Sequence, residues 1–440
     1  MSIASKIKYF KIESSCRSKI CLPVISTLMI LNFTIVNATD KNNFKKSQIS
    51  LGTNLWDISW PNANPWKEKP EDAIDPKKTG ATDYNPWNEQ FLNELKIYSC
   101  IRFMDAGRIN NQNPEFGNVR TWNGNPEKSW ADRNPETNPN QSQMSVYWMV
   151  DLCNRLNADM WLCVPELADS SWWAGAAGLI HAKLKPTLKI YVEYSNEVWN
   201  NGFTAYHTAL SRGADLNLWF RNDDKTKSYA KDRCAARYQT YISTQIWKKF
   251  VTEFGVDQKR VIKVLSGQTS NDWLNATLLH AVTDSTINKT GLQPDFFSIA
   301  SYFGQEIKKG DKDKLKLLKK DIPELQKKII RTENVINGTC NEKWYEQTPC
   351  KLSNMKLICY EGGQHLLAGA DSVSANPEIY RIYRDYLKVI EKHFQGVYCH
   401  YVHCGVWENN GAWGAKAFIG QDEKFAHKYR ALKYWRNKFK

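Results

Sequence analysis

Two glutamates stand where chemistry would need them. In Lys189-Ile-Tyr-Val-Glu-Tyr-Ser-Asn-Glu-Val-Trp-Asn200 a run of β-branched and aromatic residues gives out at Ser195-Asn196-Glu197. Glu361 follows Glu197 by 164 positions and ends a second run of the same form, Lys356-Leu-Ile-Cys-Tyr-Glu-Gly-Gly363. Both apolar runs read as buried strands, and the two glycines after Glu361 are expected to turn the chain. Paired carboxylates at two strand ends suit the cleavage of an acetal. One protonates the leaving oxygen while the other attacks the carbon, across a gap of about 5–5.5 Å. Either glutamate alone would read equally well as a solvated strand end. The repetition gives the pair its meaning.

The elements that must position the pair can be counted along the chain. By strand alternation Glu193, Ser195 and Glu197 share a face, so Glu197 is expected to cap a column pointing into a barrel or crevice. The first strand is 48–54, followed by a Pro/Asn/Trp-rich loop near 60–87 and a helix at 88–97. The second strand, 100–105, precedes a polar loop at 108–143 that carries Trp122 and Trp130, then a helix at 144–156. The third strand is 158–165 and a helix spans 174–184, which makes the Glu197 strand the fourth. After a long excursion at 200–233 come a helix at 236–254, a fifth strand at 261–266 and a sixth at 295–302. A Lys-rich amphipathic segment at 312–331 reads as a helix with one solvated face. The Glu361 strand is then seventh, and a helix at 377–394, a strand at 396–406 and a helix at 423–440 complete the count. Eight strands alternating with helices predict an α/β fold, a (β/α)8 TIM barrel built as a single domain over 39–440. Its chemistry belongs at the C-terminal strand ends, under long βα loops.

The arrangement resembles the clan A retaining glycoside hydrolases, in which an Asn-Glu pair ends strand four and a glutamate ends strand seven. The resemblance covers almost the whole chain after the leader. Arg102-Phe-Met-Asp105, Tyr191-Val-Glu-Tyr-Ser-Asn-Glu-Val-Trp-Asn200 and Gly411-Ala-Trp-Gly414 are similar to a bacterial-type subgroup described as cellulose-binding or glycosidase proteins. The resemblance implies that Glu197 is the acid/base and Glu361 the nucleophile, with no cofactor and no metal. It also implies that Arg102 contacts the nucleophile, where a guanidinium would hold Glu361 ionised. The alternative for Arg102 is an internal ion pair with Glu193 in the barrel core. Tyr302 matches the tyrosine that donates to the nucleophile, and Asn196 the residue that binds the sugar 2-hydroxyl. Trp407 and Trp413 are candidates for a sugar platform, His365 for the cleft wall. Trp199 reads as structural.

Other signals point elsewhere and are weaker. Cys399-His400-x-x-His403-Cys404 has metal-like composition, but strand alternation puts the two histidines on opposite faces, so buried strand residues are the simpler reading. No phosphate loop, dinucleotide fingerprint or nucleophilic serine elbow is visible. The formal charge is +14; five basic residues against Glu13 within 1–38 supply +4 of it, leaving +10. No nucleic-acid module accompanies that charge, which suits a protein meeting acidic glycans or a wall. With 18 Trp, the chain holds more indole than a core requires, and indole grips the apolar faces of sugars.

Residues 1–38 read as a signal peptide, with Lys6, Lys8, Lys11, Arg17 and Lys19 before an apolar run at 20–36 and Val36-Asn37-Ala38 as a small-residue cleavage site. An uncleaved signal anchor is the alternative, and no other segment is expected to cross a membrane. Of eleven Cys, Cys340 and Cys350 flank a polar loop and are the disulfide candidates, while Cys163, Cys359 and Cys399 read as buried thiols. Glycosylation sequons occur at Asn140, Asn275, Asn288 and Asn337. These observations lead to the expectation of a secreted, monomeric glycoside hydrolase that cleaves a polysaccharide or oligosaccharide and binds no nucleic acid. Two other classes remain open: a catalytically silent sugar-binding barrel, and a wall-anchoring protein that uses its charge.

Overall fold

The computed structural model describes residues 49–68, 73–81, 83–110, 112–116, 126–338 and 355–438. Cys340, Cys350, Trp122 and the leader lie outside them. Eight strands close into one parallel barrel in chain order. They are β1 (Ser50–Asn54), β2 (Cys100–Phe103), β3 (Asp159–Val164), β4 (Ile190–Tyr194), β5 (Val261–Ser266), β6 (Phe296–Phe303), β7 (Lys356–Gln364) and β8 (Val397–His400). Alternation sorts their side chains. Cys100, Trp161, Cys163, Tyr191, Val264, Ile358, Tyr360, Val397 and Cys399 pack together inside the barrel, and their neighbours face the helices. The fold is the expected (β/α)8 barrel.

The helices differ from expectation in their starting points and in number. The helix after β3 is Ser170–Lys183 and begins four residues early, because Asp169 accepts from the Ser171 and Trp172 amides. The excursion after β4 is itself helical at Thr204–Asp215, and the next helix runs from Ser228 to Phe254. Gly213 lets these two helices touch: a Cβ there would lie 2.9 Å from Cys234 Sγ. A further helix, Asp272–Thr283, follows β5 under an Asn271 cap. The Lys-rich segment forms helix Lys314–Ile336, with Leu318, Ile322, Leu325 and Ile329 buried on one face.

Strand seven overturns a local expectation. Gly362 and Gly363 do not turn the chain; β7 continues through them to Gln364, paired with β6. The register shifts by one residue, since Ile299 pairs with Cys359 but Ala300 pairs with Glu361, leaving Tyr360 as the extra residue of a bulge. Without it, alternation from Tyr360 would aim Glu361 at the helix layer. Gly362 takes that outward place instead, where a Cβ would lie 2.3 Å from Ser301 Oγ and 2.5 Å from Tyr386 Oη. Strand eight is shorter than expected, ending at His400, and the chain then builds the loop that carries Trp413.

The remaining sequence expectations fall into place around this frame. His400 lies between Tyr383 Oη and the Val402 carbonyl, and His403 between Tyr98 Oη and Glu94, so all four ring nitrogens are engaged in the core. No cluster of three potential metal ligands occurs among the described residues. Cys163, Cys359 and Cys399 are buried free thiols. Asn275 and Asn288 spend their amides on backbone carbonyls inside the fold, whereas Asn140 and Asn337 are exposed. Among the described residues no helix is long and apolar enough to cross a membrane.

The bulge makes a direct stability prediction. Gly362→Ala must push Ser301 or Tyr386 aside in a filled layer, and should cost about 1–3 kcal/mol in urea unfolding. An unchanged midpoint would show that the layer has room to spare.

Candidate active site

The floor of the site is built on Arg102, from β2, which is 0% exposed. Its Nη1 donates to Glu361 Oε1 at 2.8 Å and to Asn54 Oδ1 at 3.0 Å. Its Nε reaches Glu193 Oε2 at 3.0 Å, and its Nη2 reaches Asn196 Oδ1 at 2.8 Å. The rings of Trp161 and Tyr360 stand over the guanidinium at 5.6 and 5.1 Å. Both alternatives for Arg102 are therefore realised at once: it pairs with Glu193 and with Glu361. It does not line the cavity above, so it acts through the residues it holds rather than by touching a ligand. Glu193 is also held by Trp161 Nε1 at 2.8 Å and Ser266 Oγ at 2.5 Å.

A cavity of about 440 Å³ opens above this floor, and Asn196, Glu197, Tyr302, Glu361, His365 and Trp413 all line it. Glu361 has both oxygens engaged, since Tyr302 Oη donates to Oε2 at 2.8 Å opposite Arg102 on Oε1. Glu197 receives longer bonds, from Tyr360 Oη at 3.2 Å and Asn200 Nδ2 at 3.1 Å. It gets to the cavity by a different route from simple alternation. Strand β4 stops at Tyr194, and Ser195 and Glu197 adopt left-handed φ values of 53° and 41°. Left-handed backbone in non-glycine residues stores strain of about 1–3 kcal/mol each, which here serves to aim the carboxyl.

The electrostatics of the two carboxyls differ. Burial pushes Glu197 up to about 7, and the neighbouring charge of Glu361 adds to the shift. Burial leaves Glu361 raised above its ordinary value as well, but Arg102 and the Tyr302 hydroxyl offset part of that shift. The ionised form of the pair therefore belongs to Glu361 and the proton to Glu197. A third carboxyl, Asp105, accepts from Tyr401 Oη at 2.9 Å and is pushed up to about 7 by burial and by Glu361.

Trp407 is not brought to the cavity. Because β8 ends at His400, the chain has already turned away; the Trp407 indole donates to Gly414 O at 2.9 Å and its ring lies under Lys428 Nζ at 5.0 Å. Trp413 does reach the cavity, and its Nε1 meets His365 Nδ1 at 3.4 Å. Trp199, read as structural, lines the cavity while packing against the core. Trp56, Tyr360 and Tyr401 also line it and were not expected there. Trp56 was findable in principle, two residues past the end of β1; Tyr360 depends on the bulge and had no sequence signal.

No family model matches the chain, and no curated protein sequence does. Among solved structures it is similar to a broad-specificity endoglucanase from Clostridium longisporum, at 9% identity and a TM-score of 0.46, over 90% of this chain and 98% of that one. A β-glucosidase from Thermotoga maritima is similar at 10% identity and a TM-score of 0.42, over 89% of this chain and 98% of that one. An α-L-arabinofuranosidase from the same organism is similar at 12% identity and a TM-score of 0.43, over 89% of this chain and 70% of that one. At such distances the chemistry of the site rests on its own geometry.

That geometry couples stability to pH. Glu197 and Asp105 rise from ordinary values of 4.5 and 3.8 to about 7. Between those limits the folded chain holds protons that the unfolded chain has released, so stability falls as pH climbs through this window and stays lower above it. Glu197→Gln should therefore be more stable than the parent at about pH 8 and lose that advantage at about pH 4, by thermal unfolding. Parallel pH profiles would mean that Glu197 titrates normally.

Proposed function

We propose that the protein is a retaining glycoside hydrolase of the clan A type, acting on a polysaccharide or oligosaccharide. One observation carries the reading: two carboxyls share a cavity with different partners. Glu361 is bound on both oxygens by a guanidinium and a phenol, and Glu197, with no cation in contact among the described residues, is pushed up to about 7. The first suits a nucleophile, the second an acid that must give its proton and take one back.

In the first step Glu361 attacks the anomeric carbon while Glu197 protonates the leaving oxygen, which gives a glycosyl ester on Glu361. Forming the ester removes the charge of Glu361. That charge helps to raise Glu197, so its loss lowers the Glu197 pKa and converts it into the base that activates water. Water then releases the sugar with its original configuration. Asn196, aimed by Arg102 and by its own donation to Asn110 Oδ1 at 3.1 Å, is placed to meet a sugar hydroxyl. The basic segment, apolar run and small-residue site at 6–38 support export from the cell.

The two glutamates can be told apart by the anomer each variant makes. With Glu197→Ala and an activated aryl glycoside, the ester should accumulate and added azide should intercept it with retained configuration. With Glu361→Ala no ester can form, and azide in the vacated space should attack the donor directly and give the opposite anomer. The same anomer from both variants would mean that a role is misassigned. In the parent, kcat/KM should fall above about pH 7, as Glu197 loses the proton it must donate. A flat profile through that range would remove Glu197 from the acid role.

A further inference from the structure

We propose that the cavity takes an acidic glycan, and that Lys328 holds the carboxylate or sulfate of a sugar unit next to the reacting one. The proposal rests on the glycosidase reading and names the substrate class for that same site.

The cavity has two unlike sides. The strands close in chain order, so the loops that follow β5 and β6 stand across the barrel mouth from those that follow β1 and β2. The β5–β6 side is polar. Gln268 and Ser270 come from the loop after β5, Gln305 from the loop after β6, and Lys328 from helix Lys314–Ile336. Among the described residues, Lys328 is the one lysine or arginine that lines the cavity. Helical spacing puts it there, since Leu325, three residues earlier, is buried and lines the same cavity. The wall is fixed to the helix that carries it. The Ser270 amide donates to Thr332 Oγ1 at 3.1 Å, and the Gly304 amide to Asp321 Oδ2 at 2.5 Å.

Lys328 is half-buried, and its side chain makes no hydrogen bond or ion pair among the described residues. The acidic groups that reach this stretch of helix are already engaged. Glu324, one turn earlier, pairs with Lys327 at 2.8 Å, Asp272 pairs with Arg331 at 2.7 Å, and Asp321 holds the Gly304 amide. Arg102 is the cation that acts on both catalytic carboxyls. Lys328 thus brings to the cavity a positive charge that no described residue answers. A glycan filling the cavity displaces water from that ammonium, and an ammonium that loses water without gaining a partner is costly. A sugar hydroxyl offsets part of this. A carboxylate or sulfate offsets more, because a charge-assisted hydrogen bond is roughly twice as strong as a neutral one. Glu361 must stay ionised to attack, so the anion belongs on a neighbouring unit and not beside Glu361. The formal charge of +14 draws an acidic chain toward the protein at longer range.

Calorimetric binding to Glu197→Gln protein, which keeps the cavity but cannot turn over, tests the proposal. The probes are short fragments of a glucuronoxylan, a homogalacturonan and a sulfated galactan. Each is compared with its own carboxyl-reduced or desulfated form, so that only the charge differs. In at least one pair the acidic fragment should bind about tenfold more tightly, and the pair that shows it tells carboxylate from sulfate. Lys328→Gln should reduce that preference to about twofold or less, and Lys328→Arg should keep most of it. Lys320→Gln removes the same charge from an exposed position on the same helix, outside the cavity, and should leave the preference in place. Equal affinity within every pair, a preference that survives Lys328→Gln, or one lost equally in Lys320→Gln overturns the acidic site. If the parent hydrolyses no glycan at all, the glycosidase reading falls, and the matched pairs still decide the role of Lys328.

Discussion

A guanidinium with no access to water must find partners for all its donors, and Arg102 finds them in Asn54, Glu193, Asn196 and Glu361. These come from β1, the β4 strand and its end, and β7, so one buried side chain ties together strands on different sides of the barrel. Taking such charges out of water is costly, and removing one partner of a buried pair typically costs about 3–5 kcal/mol because the rest are stranded. The cluster therefore tolerates little drift. Its rigidity holds Asn196, beside Glu197, and Glu361 itself in a fixed relation.

The two departures from regular strand geometry serve the same end. A barrel strand offers only every second residue to the interior, which would leave either Tyr360 or Glu361 facing the helices. The bulge in β7 lets both face inward, so that Tyr360 donates to Glu197 while Glu361 receives Arg102. At the end of β4 two left-handed residues play the corresponding part for Glu197. Strain and irregularity are concentrated where a side chain has to be re-aimed, and the rest of the barrel keeps its alternation.

The loops that complete the cavity are anchored by further buried charges. Glu94 accepts from Lys416 Nζ at 2.6 Å and from the Gly420 amide at 2.8 Å, which pins the segment following Trp413 to the first helical layer. Glu166 accepts from the Gln112 amide at 3.0 Å and from Thr208 Oγ1 at 2.6 Å, which joins the loop after β2 to helix Thr204–Asp215. The fold thus uses buried carboxylates as fasteners for its long loops.

Hydrophobic run length and punctuation alone determined the eight strands, their order and the two glutamates at strand ends, because each strand is a local apolar run bounded by turn residues. Glu197 and Glu361 could be named for the cavity on that basis, and His365 by its place four residues after Glu361. Asn196, Tyr302 and Trp413 could be named only through the family resemblance. Helices 204–215 and 272–283 could not, since their sides are mixed in character and only packing against neighbours reveals the buried face. The sequence offered Arg102 two partners, Glu193 or Glu361, but without distances it could not show that Arg102 holds both at once. Trp407 and Trp413 look alike in the chain; they part company because β8 stops at His400, a fact settled by how the following loop packs. Which face of β7 Glu361 occupies was decided by a single extra residue in the ladder, and a bulge leaves no mark in composition or periodicity. Only closure of the barrel, with β6 beside β7 and Arg102 across from both, determines where that residue falls.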